Sequence, residues 1–342
     1  MDLKELIAVA HALVTDSKGI LAIDESNPTC NKRFMAVGIP RTAEMRCAYR
    51  EMIVTTPGLN ESISGIILYD ETIHQHLKNG SSFIKTINEA GIIPGIKVDA
   101  GTLPMASHPG EKIAEGLDGL AERLNEYYKM GLRFAKWRVV ITIGNNIPSE
   151  ACIEANAHIL ARYAALCQDA GLVPIVEPEV LMDGDHTIER CYEVTEEVLH
   201  TVFEQLYTQG VKLEGMILKA NMVLPGLNSP FQKSVEEVAD ATVKCLLRTV
   251  PAAVPGIAFL SGGQSAELAS DRLNEMNKKF KLQVPWSLSF SFGRALQQPG
   301  LEIWNGNEAN TIPAQLALYH RSKCNQAARM GKYTSELENK KN

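Results

Sequence analysis

The residue with the clearest chemical meaning in this chain is a lysine set in an apolar run. Lys219 lies within residues 215–223, Gly-Met-Ile-Leu-Lys-Ala-Asn-Met-Val. An ammonium held among such neighbours loses hydration, which favours the neutral amine. A neutral amine attacks a ketone and forms a Schiff base. The alternative is a lysine that closes a strand and points to solvent, where most charged side chains lie. The other polar residues of the chain favour the chemistry.

Residues 134–138 (FAKWR) place two cations, Lys136 and Arg138, at i and i+2. In a strand they share a face. Bare positive charge inside a fold is costly, so these cations require partners. Residues 174–179 (PIVEPE) supply two carboxylates, Glu177 and Glu179, at the same spacing. Pairing across adjacent strands gives either a structural ion-pair network or a reaction site. A lysine nucleophile needs an acid/base to expel water from its carbinolamine and a nearby cation to disfavour its own protonation. Glu177 and Lys136 fit those roles. Asp24, at the end of GILAID, can exchange a proton with a substrate hydroxyl, or simply cap the turn that follows it.

Two stretches suit anions. Ser261, Gly262 and Gly263 precede a helical pattern, and backbone N–H groups at a helix N-terminus bind phosphate. Arg294, in SFGR, follows the next strand and can reach the same anion. Ser26, Thr29, Lys32 and Arg33 follow Asp24, and Lys97 ends another strand. Two anion sites flanking a lysine suit a substrate phosphorylated at both ends.

Alternating strands and helices must position these residues. Strand-like runs cover about 19–24, 63–69, 91–98, 132–141, 172–177, 213–219, 256–261 and 286–292. Each is followed by a helical pattern, which points to an α/β fold of the (β/α)8 TIM-barrel type. An extra helix over about 2–18 precedes the first strand. The expected organisation is a single barrel domain over 1–342 with a polar, frayed tail at about 334–342. The charged residues fall at the later ends of their strands, where a parallel barrel builds its active site.

Composition narrows the class further. The chain has 342 residues, 45% hydrophobic and 22% charged, with net charge −6. That gives no basic footprint for nucleic acid. No apolar run approaches a membrane span, and the start lacks the apolar core of a signal peptide. Seven cysteines at irregular spacings, with no CxxC, read as reduced thiols in a cytoplasmic protein. The eight histidines, including the His74/His76 pair, have no recurrent ligand spacing, so no metal is expected. The segment 181–186 (LMDGDH) reads as a turn rather than a calcium loop.

In order, GILAIDES, GIKVD, FAKWR, VPIVEPE, LEGMILKANMV, FLSGGQS and SFSFGRALQ closely resemble the motifs of class I fructose-bisphosphate aldolase. The resemblance spans about residues 5–333, and DESNPTC and VTTPGL resemble the plastid and cyanobacterial branch. It implies a metal-independent lyase that cleaves fructose 1,6-bisphosphate to dihydroxyacetone phosphate and glyceraldehyde 3-phosphate. It also implies a homotetramer acting on small phosphorylated sugars, in the cytoplasm or, after loss of a transit peptide, the plastid stroma. No cofactor is implied beyond the covalent adduct with substrate.

Matched motif to motif, Lys219 falls on the Schiff-base lysine, Glu177 on the acid/base of dehydration and Asp24 on the acid that handles the C4 hydroxyl proton. Lys136 and Glu179 fall on residues that support them. Arg138, Lys97, Ser26, Thr29 and Arg33 fall near the C6 phosphate, and Ser261, Gly262 and Arg294 on the C1-phosphate site. Family members usually carry a tyrosine in a flexible C-terminal tail that serves proton transfer at C1. The last tyrosine here, Tyr333, matches a position before that tail, so C1 exchange is expected to be slow or to use another group. Ala100, Ala220 and Phe292 stand where the family commonly has Lys, Pro and Tyr. The alternatives are a preference for sedoheptulose 1,7-bisphosphate and a phosphate-binding barrel without turnover.

Overall fold

In a computed structural model, described for residues 2–15 and 17–339, eight parallel strands close into a barrel. They are Gly19–Ala22, Ile63–Leu68, Ile93–Lys97, Phe134–Ile141, Val173–Val180, Ile217–Leu218, Gly256–Phe259 and Ser287–Phe292. Each pairs in parallel with the next, and the first pairs with the last. The expected (β/α)8 barrel is the observed fold. Both faces of the sheet are covered, so the second and fifth strands are buried along their whole length.

Apolar packing forms two nested layers. The outer one lies between the sheet and the surrounding helices. The inner one fills the lower barrel with Ile20, Ile67, Phe134, Ile175, Ile217 and Ala258. A helix at Leu3–Leu13 closes the floor, burying Leu6, Ala10 and Leu13 against that inner layer. The spacing i, i+4, i+7 puts these three on one helix face. Glycines in or beside the strands make room for it. A Cβ on Gly65 would lie 2.7 Å from Leu13 Cδ2, and one on Gly215 2.5 Å from Leu6 Cδ2.

Helices that follow the strands begin at the opposite, open rim. Ser149, Thr187, Ser234 and Ser265 each accept a backbone N–H of the first turn through their hydroxyls. Each such cap stabilises its helix by about 1 kcal/mol and fixes where the positive end of the helix lies.

Several elements differ from the sequence expectation. The floor helix ends at Leu13 rather than near residue 18. The sixth strand is only Ile217–Leu218, because Leu213–Gly215 winds into a 3-10 turn under the floor helix. The fifth runs on to Val180 and so carries Glu179 inside the barrel wall. An unanticipated antiparallel hairpin, Gly101–Pro104 with Lys112–Glu115, follows the third strand and packs against the fourth. The tail expected to fray is ordered through its described part. Ser335–Glu338 is a short helix, and Glu338 accepts hydrogen bonds from Arg321 and from Tyr333 at 2.6 Å. Residues 340–342 of that expectation lie outside the described residues.

Gly65→Ala tests the floor. The added methyl meets Leu13 and the Phe134 ring at once, an overpacking cost of about 1–3 kcal/mol. The expected result is a lower thermal midpoint with KM unchanged, because the floor lies at the end of the barrel away from the polar mouth. A variant as stable as the parent would show that the floor helix yields freely.

Candidate active site

The register of the strands assembles the polar residues. Lys97 stands opposite Lys136, Arg138 opposite Glu177, and Val140 opposite Glu179. The Lys219 N–H donates to Val176 O at 2.8 Å, which sets Lys219 beside Glu177 across the fifth and sixth strands. Four buried charges then meet in the barrel mouth. Lys136 Nζ lies 2.6 Å from Asp24 Oδ2 and 3.3 Å from Glu177 Oε2, and Lys219 Nζ lies 3.2 Å from Glu177 Oε1. Two ammoniums and two carboxylates make the group neutral overall, which is what allows all four to be buried.

Their titration follows from the same geometry. Burial alone would raise the Asp24 carboxyl, but Lys136 and Lys219 outweigh it and hold it below its ordinary value. Burial pushes Glu177 the same way, and Lys136, Lys219 and Arg138 again reverse it. For Lys136, burial favours the neutral amine, yet Asp24 and Glu177 raise its pKa well above the ordinary lysine value. Lys136 is therefore a fixed cation, and Glu177 bridges it to Lys219.

Around this centre the flanking cations divide into two kinds. Arg33 is held by Glu25 at 2.5 Å, by Gln297 at 2.7 Å and by Gln298 at 3.2 Å. Lys97 is held by Asp99 at 2.5 Å, and Arg138 pairs with Glu179. Arg294 is exposed and has no hydrogen-bond or ion-pair partner among the described residues. It opens the helix Arg294–Trp304 next to the glycine loop, where a Cβ on Gly263 would lie 3.6 Å from Arg294 Nη2. Gly262 and Gly263 both take positive φ, 57° and 100°, which bends the backbone at the start of the helix Ala266–Phe280. Ser26 and Thr29 share a 3.1 Å hydroxyl contact at the N-terminus of Asn27–Ala36.

All thirteen residues singled out from the sequence line one cavity of about 710 Å3. Lys219, Glu177, Asp24, Lys136 and Glu179 stand at its centre. Ser26, Thr29 and Arg33 line it from the segment after the first strand, Lys97 and Arg138 from the third and fourth strands, and Ser261, Gly262 and Arg294 from the seventh- and eighth-strand loops, with Arg33 reaching Gln297 and Gln298 of the helix that Arg294 opens. Sequence reasoning missed Glu25, Asp99, Gln297 and Gln298, which restrain the cations. Only Glu25 and Asp99 carried a signal, as acids directly after Asp24 and two residues after Lys97. Among the described residues one cluster, His320, Cys324 and Glu338, has three ligand-type side chains in reach of one another. It does not line the cavity, and Arg321 and Tyr333 already occupy its carboxylate.

A family model described as fructose-bisphosphate aldolase class-I matches residues 5–342. The chain belongs to the class I fructose-bisphosphate aldolase family. It is 58% identical over 334 residues to a probable fructose-bisphosphate aldolase class 1 of Xanthomonas campestris, covering 97% of this chain and 99% of that one. It is 51% identical to a cytosolic fructose-bisphosphate aldolase of Arabidopsis thaliana, covering 98% of this chain and 85% of the relative. A solved fructose-bisphosphate aldolase of Plasmodium falciparum superposes with a TM-score of 0.95 at 46% identity, covering 97% and 96% of the two chains. Class I aldolases are metal-independent lyases that work through a Schiff base, and that chemistry applies to this chain.

The buried charge group gives this aldolase a definite acid response. Asp24 and Glu177 are depressed, so their contribution to stability is present above the ordinary carboxylate pKa of about 4 and fades as pH falls through their lower folded values. Lys136 is raised, so its contribution is full below about 10.4 and fades only above that. The contribution of these three groups to the thermal midpoint should be flat between those limits. Lys136→Met removes the strongest lowering influence on both acids, and the acid limb should begin at least about one pH unit higher. An unmoved acid limb would show that Lys136 does not hold these carboxylates ionised.

Proposed function

We propose that Lys219 is the nucleophile of this aldolase and that its contact with Glu177 carries the reaction. Supporting this is the 3.2 Å approach of Lys219 Nζ to Glu177 Oε1 in a buried, charge-balanced setting. Moving one proton across that contact yields a neutral amine and a carboxylic acid without changing the net charge of the cavity. Both products are needed. The amine attacks C2 of fructose 1,6-bisphosphate, and the acid protonates the carbinolamine hydroxyl so that it leaves as water.

The resulting iminium is an electron sink. Asp24 takes the C4 hydroxyl proton, the C3–C4 bond breaks, and its electron pair moves into the iminium to leave an enamine. Glyceraldehyde 3-phosphate departs. Protonation at C3 and hydrolysis then release dihydroxyacetone phosphate and regenerate Lys219. Lys136, fixed as a cation, keeps Asp24 and Glu177 in place, and Glu179 holds Arg138. Preorganised charges of this kind act strongly in a site largely closed to water. Ser261, Gly262 and Arg294 take the C1 phosphate. Arg33, Lys97, Arg138, Ser26 and Thr29 serve the C6 end.

The finer assignments rest on resemblance. Cytosolic plant relatives support a cytoplasmic enzyme of glycolysis and gluconeogenesis. DESNPTC and VTTPGL support the plastid and cyanobacterial branch, the plastid stroma and the Calvin cycle as the alternative. The family resemblance supports a homotetramer, for which light scattering on the purified protein should return four times the chain mass of 37.5 kDa.

Borohydride reduction in the presence of dihydroxyacetone phosphate tests the centre of this reading. A single adduct should map to Lys219 and be indifferent to EDTA. Asp24→Asn should still trap the adduct while losing cleavage, because Asp24 acts only when C4 carries a hydroxyl. Glu177→Gln should slow both by about 10^2- to 10^4-fold. An adduct on another lysine, or none from protein that binds the ligand, rejects Lys219.

A further inference from the structure

Among the described residues Arg272 is a buried cation with no acidic partner. Arg272 lies two turns into the helix Ala266–Phe280 and is 4% exposed. Buried arginines are normally neutralised by a carboxylate, since leaving the charge uncompensated costs several kcal/mol in most settings. Among the described residues Arg272 makes one hydrogen bond, from Nη1 to Gln264 Oε1 at 2.7 Å, and its buried Nε has no partner. Burial, with no acid near enough to offset it, pulls the guanidinium down to about 10, so it remains charged at neutral pH.

Gln264 carries that charge to the glycine loop. Its backbone N–H donates to Ser261 O at 3.0 Å and its Nε2 donates to the same oxygen at 3.1 Å. Two donors thus hold the Ser261 carbonyl toward Gln264. The peptide bond that follows is planar and trans, so the Gly262 N–H points the opposite way. A cation at the head of a hydrogen-bond chain polarises each later member. Arg272 withdraws density from Oε1, which makes Nε2 a stronger donor and Gly262 N–H a stronger donor in turn.

We propose that Arg272 is a positioning residue for the phosphate loop. Acting through Gln264, it fixes the peptide between Ser261 and Gly262 with its N–H turned toward the mouth, and it supplies positive charge behind the loop for a phosphate at C1. This deepens the proposal that Ser261, Gly262 and Arg294 take that phosphate, and rests on it. In the sequence Arg272 looks like any polar residue on a surface helix. Only its burial and the absence of an acid beside it set it apart.

The test uses the full-length enzyme in the condensation direction, where the two trioses bind at opposite ends. Arg272→Met should raise KM for dihydroxyacetone phosphate and the inhibition constant of inorganic phosphate by about 3- to 10-fold, the size of one modest charge-assisted hydrogen bond. KM for glyceraldehyde 3-phosphate and kcat should stay within about two-fold. Arg272→Lys should recover most of the loss. Gln264→Leu breaks the same chain at a partly exposed residue and should reproduce the effect, with no further loss in the double variant. It also keeps the test open if Arg272→Met does not fold.

Arg294→Gln separates the two levels of the argument. If Arg294→Gln weakens phosphate binding and neither Arg272→Met nor Gln264→Leu does, the role of Arg272 is overturned and the phosphate site stands. If none of the three changes phosphate binding, the phosphate site itself is wrong. A loss shared equally by both trioses and not rescued by lysine makes Arg272 a packing residue only.

Discussion

Charge balance inside the barrel mouth is the constraint on which the site depends. Lys219, proposed as the nucleophile, is buried beside a carboxylate that offsets the cost of desolvating it. Glu177, once buried with it, needs more positive charge than one lysine supplies, and Lys136 provides that. Lys136 then requires Asp24. Lys136, Glu177 and Lys219 come from three neighbouring strands or their ends, whereas the Lys136–Asp24 contact spans the barrel and forms only when it closes. An open sheet would leave the first strand, which carries Asp24, at an edge far from Lys136 on the fourth. Closure of the barrel therefore completes the buried charge group.

Rigid support from below makes that arrangement durable. The floor helix and the Phe134 ring fill the lower barrel, and missing Cβ atoms at Gly65 and Gly215 let the helix sit against the strands. With the floor filled, solvent reaches the charges mainly from the mouth. The low dielectric around Lys219 therefore comes from packing at the far end of the fold as well as from its own neighbours.

Much of this was visible in the sequence because the chemistry breaks a strong pattern. Strands buried on both faces are apolar, so Lys136, Glu177 and Lys219 stand out against Phe, Val, Ile and Leu, and i, i+2 spacing gives their common face. Residues that break no pattern stayed hidden. Gln297, buried beneath Arg33, is one more polar position in an amphipathic helix until the fold places it against Tyr49 and Glu25. Arg272 is hidden for the same reason. The sixth strand is shorter than its sequence pattern implies, because Leu213 and Met216 are apolar whether they pair in a sheet or pack under a helix. The hairpin at 101–115 was missed because Gly101, Pro104, Pro109 and Gly110 read as loop, and its pairing is a tertiary fact. The polar tail was expected to fray, yet Glu338 finds Arg321 and Tyr333, a pairing across 17 residues that local composition does not encode.

The two anion ends of the mouth are energetically unlike. At the glycine loop Arg294 has no internal partner among the described residues, and the backbone is already bent by two positive-φ glycines. A phosphate arriving there gains an ion pair and displaces only water. Arg33 and Lys97, assigned above to the C6 end, are already engaged, by Glu25 and Asp99. An anion there exchanges one ion pair for another and must leave Glu25 or Asp99 with a new environment, so the net gain is smaller. The restraint has a use when no substrate is bound. Seven cations, Lys32, Arg33, Lys97, Lys136, Arg138, Lys219 and Arg294, converge on one cavity, and the acids between them offset their mutual repulsion. Glu25 and Asp99 thus balance cations of the mouth, and a phosphate at the C6 end proposed above would gain less there.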